Sequence, residues 1–190
     1  MMGGRGGSGE RNDFAVLSSD RDNDYFFDDM SRNWGYNLTN AEEVALSEYT
    51  MYNNQQINDY LREGKISDFT EEELKRQATQ IKSALDKFDL TEGLTLYRAG
   101  NSGSIIKEFK SFVSTSTDIK LAEKYLGNRA DTLYIIQVSK GKGKGAYVAP
   151  KSEVPEEHEF LLNRGLRPTV VSRSKKTING KNVKVITIRV

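Results

Sequence analysis

The chain has no cysteine among its 190 residues, so disulfides, thiolate nucleophiles and cysteine metal sites are all excluded. It has one histidine, His158, so a metal site would need oxygen ligands and a histidine-based charge relay has one candidate. No run of about 18 apolar residues is present, and the first residues lack the apolar stretch of a signal peptide, so the chain reads as soluble. Net charge is nearly absent too. Lys and Arg number 28 against 27 Asp and Glu, which gives no global attraction to nucleic acid or to an anionic membrane.

What the chain does have is a length and a 36% hydrophobic content that suit one ordinary domain with a real core. Residues 1–12 read as a flexible glycine-rich leader or linker and 13–190 as the domain. Gly4, Gly6 and Gly9 match a GxGxxG pattern, but no strand precedes them, so no phosphate loop is expected there. Gly141-Lys142-Gly143-Lys144-Gly145 leads into Ala146-Tyr147-Val148 and reads as a turn between strands. Charge is unevenly spread. Asp20 to Asp29 is acidic, whereas Phe160 to Val190 carries eight basic residues and no acid, a pattern that suits a solvated basic hairpin or an acidic partner.

Helical signals fall in the first half. Thr39 with Glu42, and Thr70 with Glu73, form capping boxes ahead of apolar residues at helical spacing, and a short helix is expected over Ile57 to Arg62. Strand candidates then follow at Leu94–Arg98, Phe112–Ser116, Leu133–Val138, Ala146–Ala149, His158–Asn163 and Val183–Val190, with a helix over Ile119–Leu126. Asn179-Gly180 predicts a hairpin between Ser172–Ile178 and Lys181–Val190. Helices first and strands later predicts an α+β fold.

Three segments carry chemistry. In Leu94-Thr95-Leu96-Tyr97-Arg98-Ala99-Gly100, alternation puts Arg98 at the end of an apolar strand face, where it meets either a bound anion or a nearby carboxylate. In Phe112-Val113-Ser114-Thr115-Ser116, Ser114 and Ser116 share a face, as cleft hydroxyls or as cross-strand hydrogen-bonding pairs. In Glu157-His158-Glu159, residues i and i+2 of a strand share one face, roughly 6 to 7 Å apart, whereas in a helix they diverge. Both acids are therefore expected at a strand edge opening on a cleft, with His158 structural on the opposite face.

Together, Tyr97-Arg98, Phe112-Val113-Ser114-Thr115-Ser116 and Glu157-His158-Glu159-Phe160-Leu161-Leu162 resemble the arginine-type mono-ADP-ribosyltransferases, a family of bacterial toxins, phage enzymes and vertebrate ecto-enzymes. Ala45 to Thr50 and Ile57 to Arg62 resemble the helical lobe of its binary-toxin and C3-like branch, so the likeness spans roughly Trp34 to Val190. The resemblance implies a split β-sandwich of two roughly perpendicular antiparallel sheets, with an N-terminal helical lobe and NAD+ in the cleft between the sheets.

By resemblance, Glu159 contacts the ribose 2′-hydroxyl and Ser114 holds that carboxylate. Thr115 and Ser116 support the nicotinamide side, Arg98 binds phosphate, and Tyr97 and the Ala99 backbone complete the grip. Tyr125 and Arg129 fall where the family's phosphate and nicotinamide loop offers an aromatic and a basic residue. Glu157 orients the guanidinium of an acceptor arginine. The segment before the acids, Pro150 to Glu156, has no aromatic, unlike toxins that act on actin or Rho, so the protein target stays open. The implied activity is NAD+-dependent transfer of ADP-ribose to arginine on an unidentified protein, with no metal, membrane or nucleic-acid partner. An NAD+ glycohydrolase or a non-catalytic binding module on the same fold are the alternatives. The setting stays open between a secreted or host-delivered toxin, a phage-associated enzyme in the bacterial cytoplasm, and a domain of a longer virion or effector protein, the last favoured by the glycine-rich leader.

Overall fold

The computed structural model describes residues 13–127 and 130–190. The leader over 1–12, with its glycine pattern, and Arg129 lie outside the described residues.

After a short strand β1 (Phe14–Ala15), helix α1 (Asp20–Asn37) starts at Ser19, whose hydroxyl accepts from the Asp22 N–H at 3.1 Å. Its buried stripe is narrow: Asn23, Phe27 and Trp34. Helix α2 (Asn40–Glu48) runs into a π-helical turn at Tyr49–Asn53, and α3 (Asn54–Glu63) follows. Gly64 ends α3 in the left-handed conformation, where a residue without Cβ is favoured. Helix α4 (Glu71–Lys87) completes the lobe. Both expected capping boxes form, with Thr39 and Thr70 each exchanging hydrogen bonds with the glutamate three residues on.

The remaining elements are β2 (Asp89–Leu90), β3 (Gly93–Gly100), β4 (Val113–Ser116), α5 (Ile119–Lys124), β5 (Thr132–Val138), β6 (Gly141–Lys142), β7 (Gly145–Tyr147), β8 (Glu159–Leu162), β9 (Thr169–Ile178) and β10 (Lys181–Arg189). The main sheet runs β7-β8-β4-β3-β5-β10-β9, with β1 beside β3, while β2 and β6 pair separately. The α+β architecture with its N-terminal helical lobe is therefore present. One detail departs from an all-antiparallel arrangement: β10 lies parallel to β5, and β1 parallel to β3. Alternation along a strand reports which face is buried, not the direction of its neighbour, so the sequence held no signal for this.

The sheet is nearly divided in two. Strands β3 and β4 share a single residue pair, Tyr97 with Ser116, whereas β3 pairs with β5 over seven residues from Leu94 to Gly100. Continuing the β3–β4 register would set Ala99 opposite Ser114, but the strands part there and a cleft opens. The main core packs the helical lobe against the sheet through Phe27, Trp34, Phe88 and Phe160. Phe27 stacks on Tyr147 with ring centroids 4.0 Å apart. A smaller core, built on Tyr97, Ala122, Leu133, Val183 and Val185, lies under α5. Gly145, at φ +148, has no room for a side chain, because a Cβ would strike the Leu161 carbonyl. The expected hairpin turns through Asn179 and Gly180, both at positive φ, as a primed turn requires. Its edge strand β9 is exposed along almost its whole length and carries Arg173, Lys175 and Lys176, charges that discourage edge-to-edge pairing.

Glu42 anchors the lobe. It is 4% exposed and accepts hydrogen bonds at 2.7 Å from Lys87 Nζ, Ser83 Oγ and the Thr39 N–H. Burial works against its charge, but these donors outweigh burial and hold the carboxyl down at about 2, against an ordinary 4.5. A depressed folded pKa gives stability that is complete above the unfolded value and lost as pH falls from there toward the folded one. Chemical denaturation at pH 5 and pH 2 should show wild type losing about 3 kcal/mol more than Glu42→Gln over that window.

Candidate active site

The cleft has a volume of about 570 Å3 and opens where β3 and β4 part. Three separate segments bring their residues to it: Arg98 from β3, Ser114 from β4, and Glu159 at the start of β8 with Glu157 in the turn just before it. Tyr97, Ala99, Thr115, Ser116 and Tyr125 line it as well. Every site residue expected from sequence thus borders one cleft, except Arg129, which lies outside the described residues. A wider groove of about 1150 Å3 on the outer side of α1 holds none of them.

Arg98 spans the gap where the ladder stops. Its Nη1 donates to the Ser114 carbonyl at 2.6 Å, satisfying an acceptor exposed by the parting of the strands. Its Nε is buried with no partner, and among the described residues no carboxylate lies within ion-pairing distance. Burial pushes the guanidinium below its ordinary value, and the nearby Arg62 adds to this while Glu159 opposes it. Of the two readings the sequence left open, an anion-seeking cation fits this placement better than a structural ion pair. Such a cation offers unused donors to a phosphate or pyrophosphate.

Glu159 is half-buried at the first position of β8, opposite Ser116. Burial raises its carboxyl above the ordinary range, and the negative charge of Glu157 adds to the rise, while the Ser114 hydroxyl and Arg98 pull the other way. A partly desolvated carboxylate at the end of an apolar strand suits stabilisation of positive charge that develops only during reaction.

The three hydroxyls divide their tasks. Ser114 faces Glu159. Thr115 turns its buried hydroxyl to the Phe160 carbonyl at 2.6 Å, so its contribution to the cleft is backbone. Ser116 Oγ donates to the Glu157 carbonyl at 2.8 Å and accepts from the Asp118 N–H, tying β4 to the turn that carries the acids. Tyr97 is buried in the smaller core and borders the cleft from there. Tyr125, just after α5, is 63% exposed at the rim.

The paired acids do not share one strand, as their spacing suggested. Pro155 opens a 3-10 turn over Pro155–Glu157, and only Glu159 is in the strand. Between them His158 adopts the left-handed conformation, φ 46 and ψ 45, and this reversal brings Glu157 back to the cleft. The His158 ring nitrogens meet Tyr147 Oη at 3.0 Å and Asp20 Oδ1 at 2.9 Å.

Sequence reasoning missed several lining residues. Tyr49, Thr50 and Asn54 come from the π-helical turn and the start of α3. Tyr49 is buried, which raises its hydroxyl far above the ordinary value, and it accepts from Asn58 Nδ2 at 2.9 Å. Asn101 and Ser104 enter from the loop after β3, which Tyr134 organises: its hydroxyl accepts from the Gly103 and Ser104 N–H groups and donates to the Asn101 carbonyl at 2.6 Å. A π turn and a side-chain-clamped loop are tertiary outcomes with no local sequence signal, although Tyr49-Thr50 does fall within the helical text quoted above. Among the described residues no three His, Cys, Asp or Glu side chains group as a metal site, and no helix is long and apolar enough to cross a membrane.

Known proteins resemble this chain in sequence and in fold. The family model for the ADP-ribosyltransferase exoenzyme matches residues 24–108 and 101–190. The NAD(+)–arginine ADP-ribosyltransferase EFV of Enterococcus faecalis is 30% identical over 154 residues, covering 75% of this chain; the chain spans 31% of that protein's length. Among solved structures, the ADP-ribosylating toxin BECa of a Clostridium perfringens binary enterotoxin, solved with NADH, superposes with a TM-score of 0.79 at 18% identity, over 93% of this chain and 49% of that one. The ADP-ribosyltransferase toxin Plx2a of Paenibacillus larvae gives 0.75 at 21% identity, over 93% and 98%.

Proposed function

Because this chain belongs to the ADP-ribosyltransferase exoenzyme family, we propose that it cleaves NAD+ and transfers ADP-ribose to arginine side chains of a protein substrate, releasing nicotinamide. The observation that carries this reading is the convergence of Arg98, Ser114, Glu157 and Glu159 on one cleft from three separate segments. The arginine acceptor named for the Enterococcus faecalis relative supports it.

In this reading the buried Arg98 fork holds the dinucleotide phosphates and the Ala99 backbone and Ser116 border the nicotinamide end. The bond between nicotinamide and ribose breaks, nicotinamide leaves with the bonding electrons, and the ribose carbon becomes oxocarbenium-like. Glu159, positioned by Ser114, stabilises that positive charge. Glu157 aligns the acceptor guanidinium so that one nitrogen bonds to the same carbon from the opposite face and then releases its proton to solvent water.

Incubating the protein with labelled NAD+ and a cell extract tests this. Labelled protein bands are the expected result; free ADP-ribose alone would indicate a glycohydrolase, and neither product would indicate a binding module. The extract that yields bands also identifies the setting, whether a host cell reached by secretion or delivery or a bacterium harbouring a phage. Replacing Glu157 by Gln keeps the shape and removes the charge that a guanidinium seeks. Transfer to arginine should fall about 100-fold while NAD+ hydrolysis changes by about threefold or less. Equal losses in both would move Glu157 into the NAD+-cleaving step.

A further inference from the structure

His158 holds the left-handed conformation, at φ 46, which is uncommon for a residue that carries a Cβ. The surroundings are specific. Its side chain is 13% exposed and both ring nitrogens are engaged. The Asp20 carboxylate can only accept, so Nε2 carries the proton it receives, and in the neutral ring Nδ1 then accepts from the Tyr147 hydroxyl. Tyr147 is itself fixed, buried and stacked on Phe27 at an interplanar angle of 5°. Asp20 is the first residue of α1, with its side chain 91% exposed.

The two acids depend on this anchor unequally. Glu159 sits in the ladder, paired with Ser116, and its carbonyl accepts from the Val148 N–H at 3.0 Å. Glu157 is outside the ladder. Its carbonyl is held by Ser116, but among the described residues its carboxylate has no hydrogen-bond or ion-pair partner. Its backbone is held by Ser116 and by the 3-10 turn, where its N–H donates to the Val154 carbonyl at 3.1 Å, and the chain reverses toward Glu159 through His158.

We infer that His158, clamped between Tyr147 and Asp20, is a positioning residue that fixes the aim of Glu157, so that the end of α1 controls how cleaved NAD+ divides between arginine and water. This rests on the transfer reading above. Loosening the clamp lets Glu157 wander while Glu159 keeps its place, so transfer falls and hydrolysis persists.

The test compares transfer to agmatine, a small guanidine, with NAD+ hydrolysis in the full chain. The variants are His158→Asn, which tolerates the left-handed backbone but cannot span both partners, Tyr147→Phe, which keeps the stacked ring, Asp20→Ala and Asp20→Asn. In the first three the transfer-to-hydrolysis ratio should drop about tenfold, the effect of roughly one hydrogen bond, with the KM for NAD+ in hydrolysis within about twofold. Asp20→Asn keeps an acceptor oxygen and should recover most of the ratio. A ratio unchanged in all the variants, or transfer and hydrolysis falling together, overturns the role of His158 and leaves the transferase reading standing. A wild-type protein that hydrolyses NAD+ and modifies no guanidine overturns both.

Discussion

Glu159→Gln is expected to lower NAD+ hydrolysis and arginine transfer alike by roughly 1000-fold, because both share the step in which positive charge appears on the ribose. The loss should lie in kcat, since Arg98 and the cleft walls that hold the dinucleotide are untouched. A stability measurement separates this from misfolding. The Glu159 carboxyl is raised by burial and by Glu157, so its charged form costs the folded state free energy, and that cost grows as pH rises through the window from the unfolded to the folded value. Glutamine carries no such cost, so the variant should melt at or above the wild-type temperature at neutral pH while having almost no activity. The same shift sets the acid limb of the pH profile: hydrolysis should fail, as pH drops, above the usual carboxylate range. In Glu157→Gln that limb should move down, because the like charge is gone. A variant that loses activity together with melting temperature would refute this account of Glu159.

Arg98→Lys should weaken NAD+ binding by about 2–3 kcal/mol, on the order of 100-fold in Kd, with a smaller change in kcat once the site is saturated. The guanidinium has two tasks in this reading: Nη1 closes the break in the sheet at the Ser114 carbonyl, and its other donors, with no carboxylate at ion-pairing distance among the described residues, are left for the phosphates. A single ammonium can satisfy the carbonyl or an incoming phosphate oxygen, but it has no planar fork to do both. Calorimetric titration with NAD+ reads the effect directly. An unchanged Kd would mean that the dinucleotide phosphates rest on other groups.

Those two residues were legible in the sequence for the same reason. Each sits on a strand whose two-residue period is set locally, so a reader of Leu94-Thr95-Leu96-Tyr97-Arg98 can tell which face the guanidinium takes, and the structure buries Leu94 and Leu96 on that face. Capping boxes are local too, and both formed. What was hidden depends on partners far along the chain. Helix α1 buries so thin a stripe that its acidic surface dominates the text, and its role emerges only when Phe27 meets Tyr147 and Asp20 meets His158. Tyr49, Thr50 and Asn54 reach the cleft because α2 widens into a π turn. The route of Glu157 through a left-handed histidine could not be read from spacing, since a period-2 argument assumes that both residues are extended.

The parallel alignment of β10 with β5 bears on how the molecule assembles. Thr132 to Gln137 pair with Lys184 to Arg189, so this join waits until the intervening chain, acids included, has collapsed into place. The helical lobe, with its near-neighbour contacts, has no such delay. Refolding after dilution from denaturant should therefore show far-ultraviolet helical signal recovering ahead of protection of the β5 amides from hydrogen exchange, and catalytic competence should return no earlier than that protection.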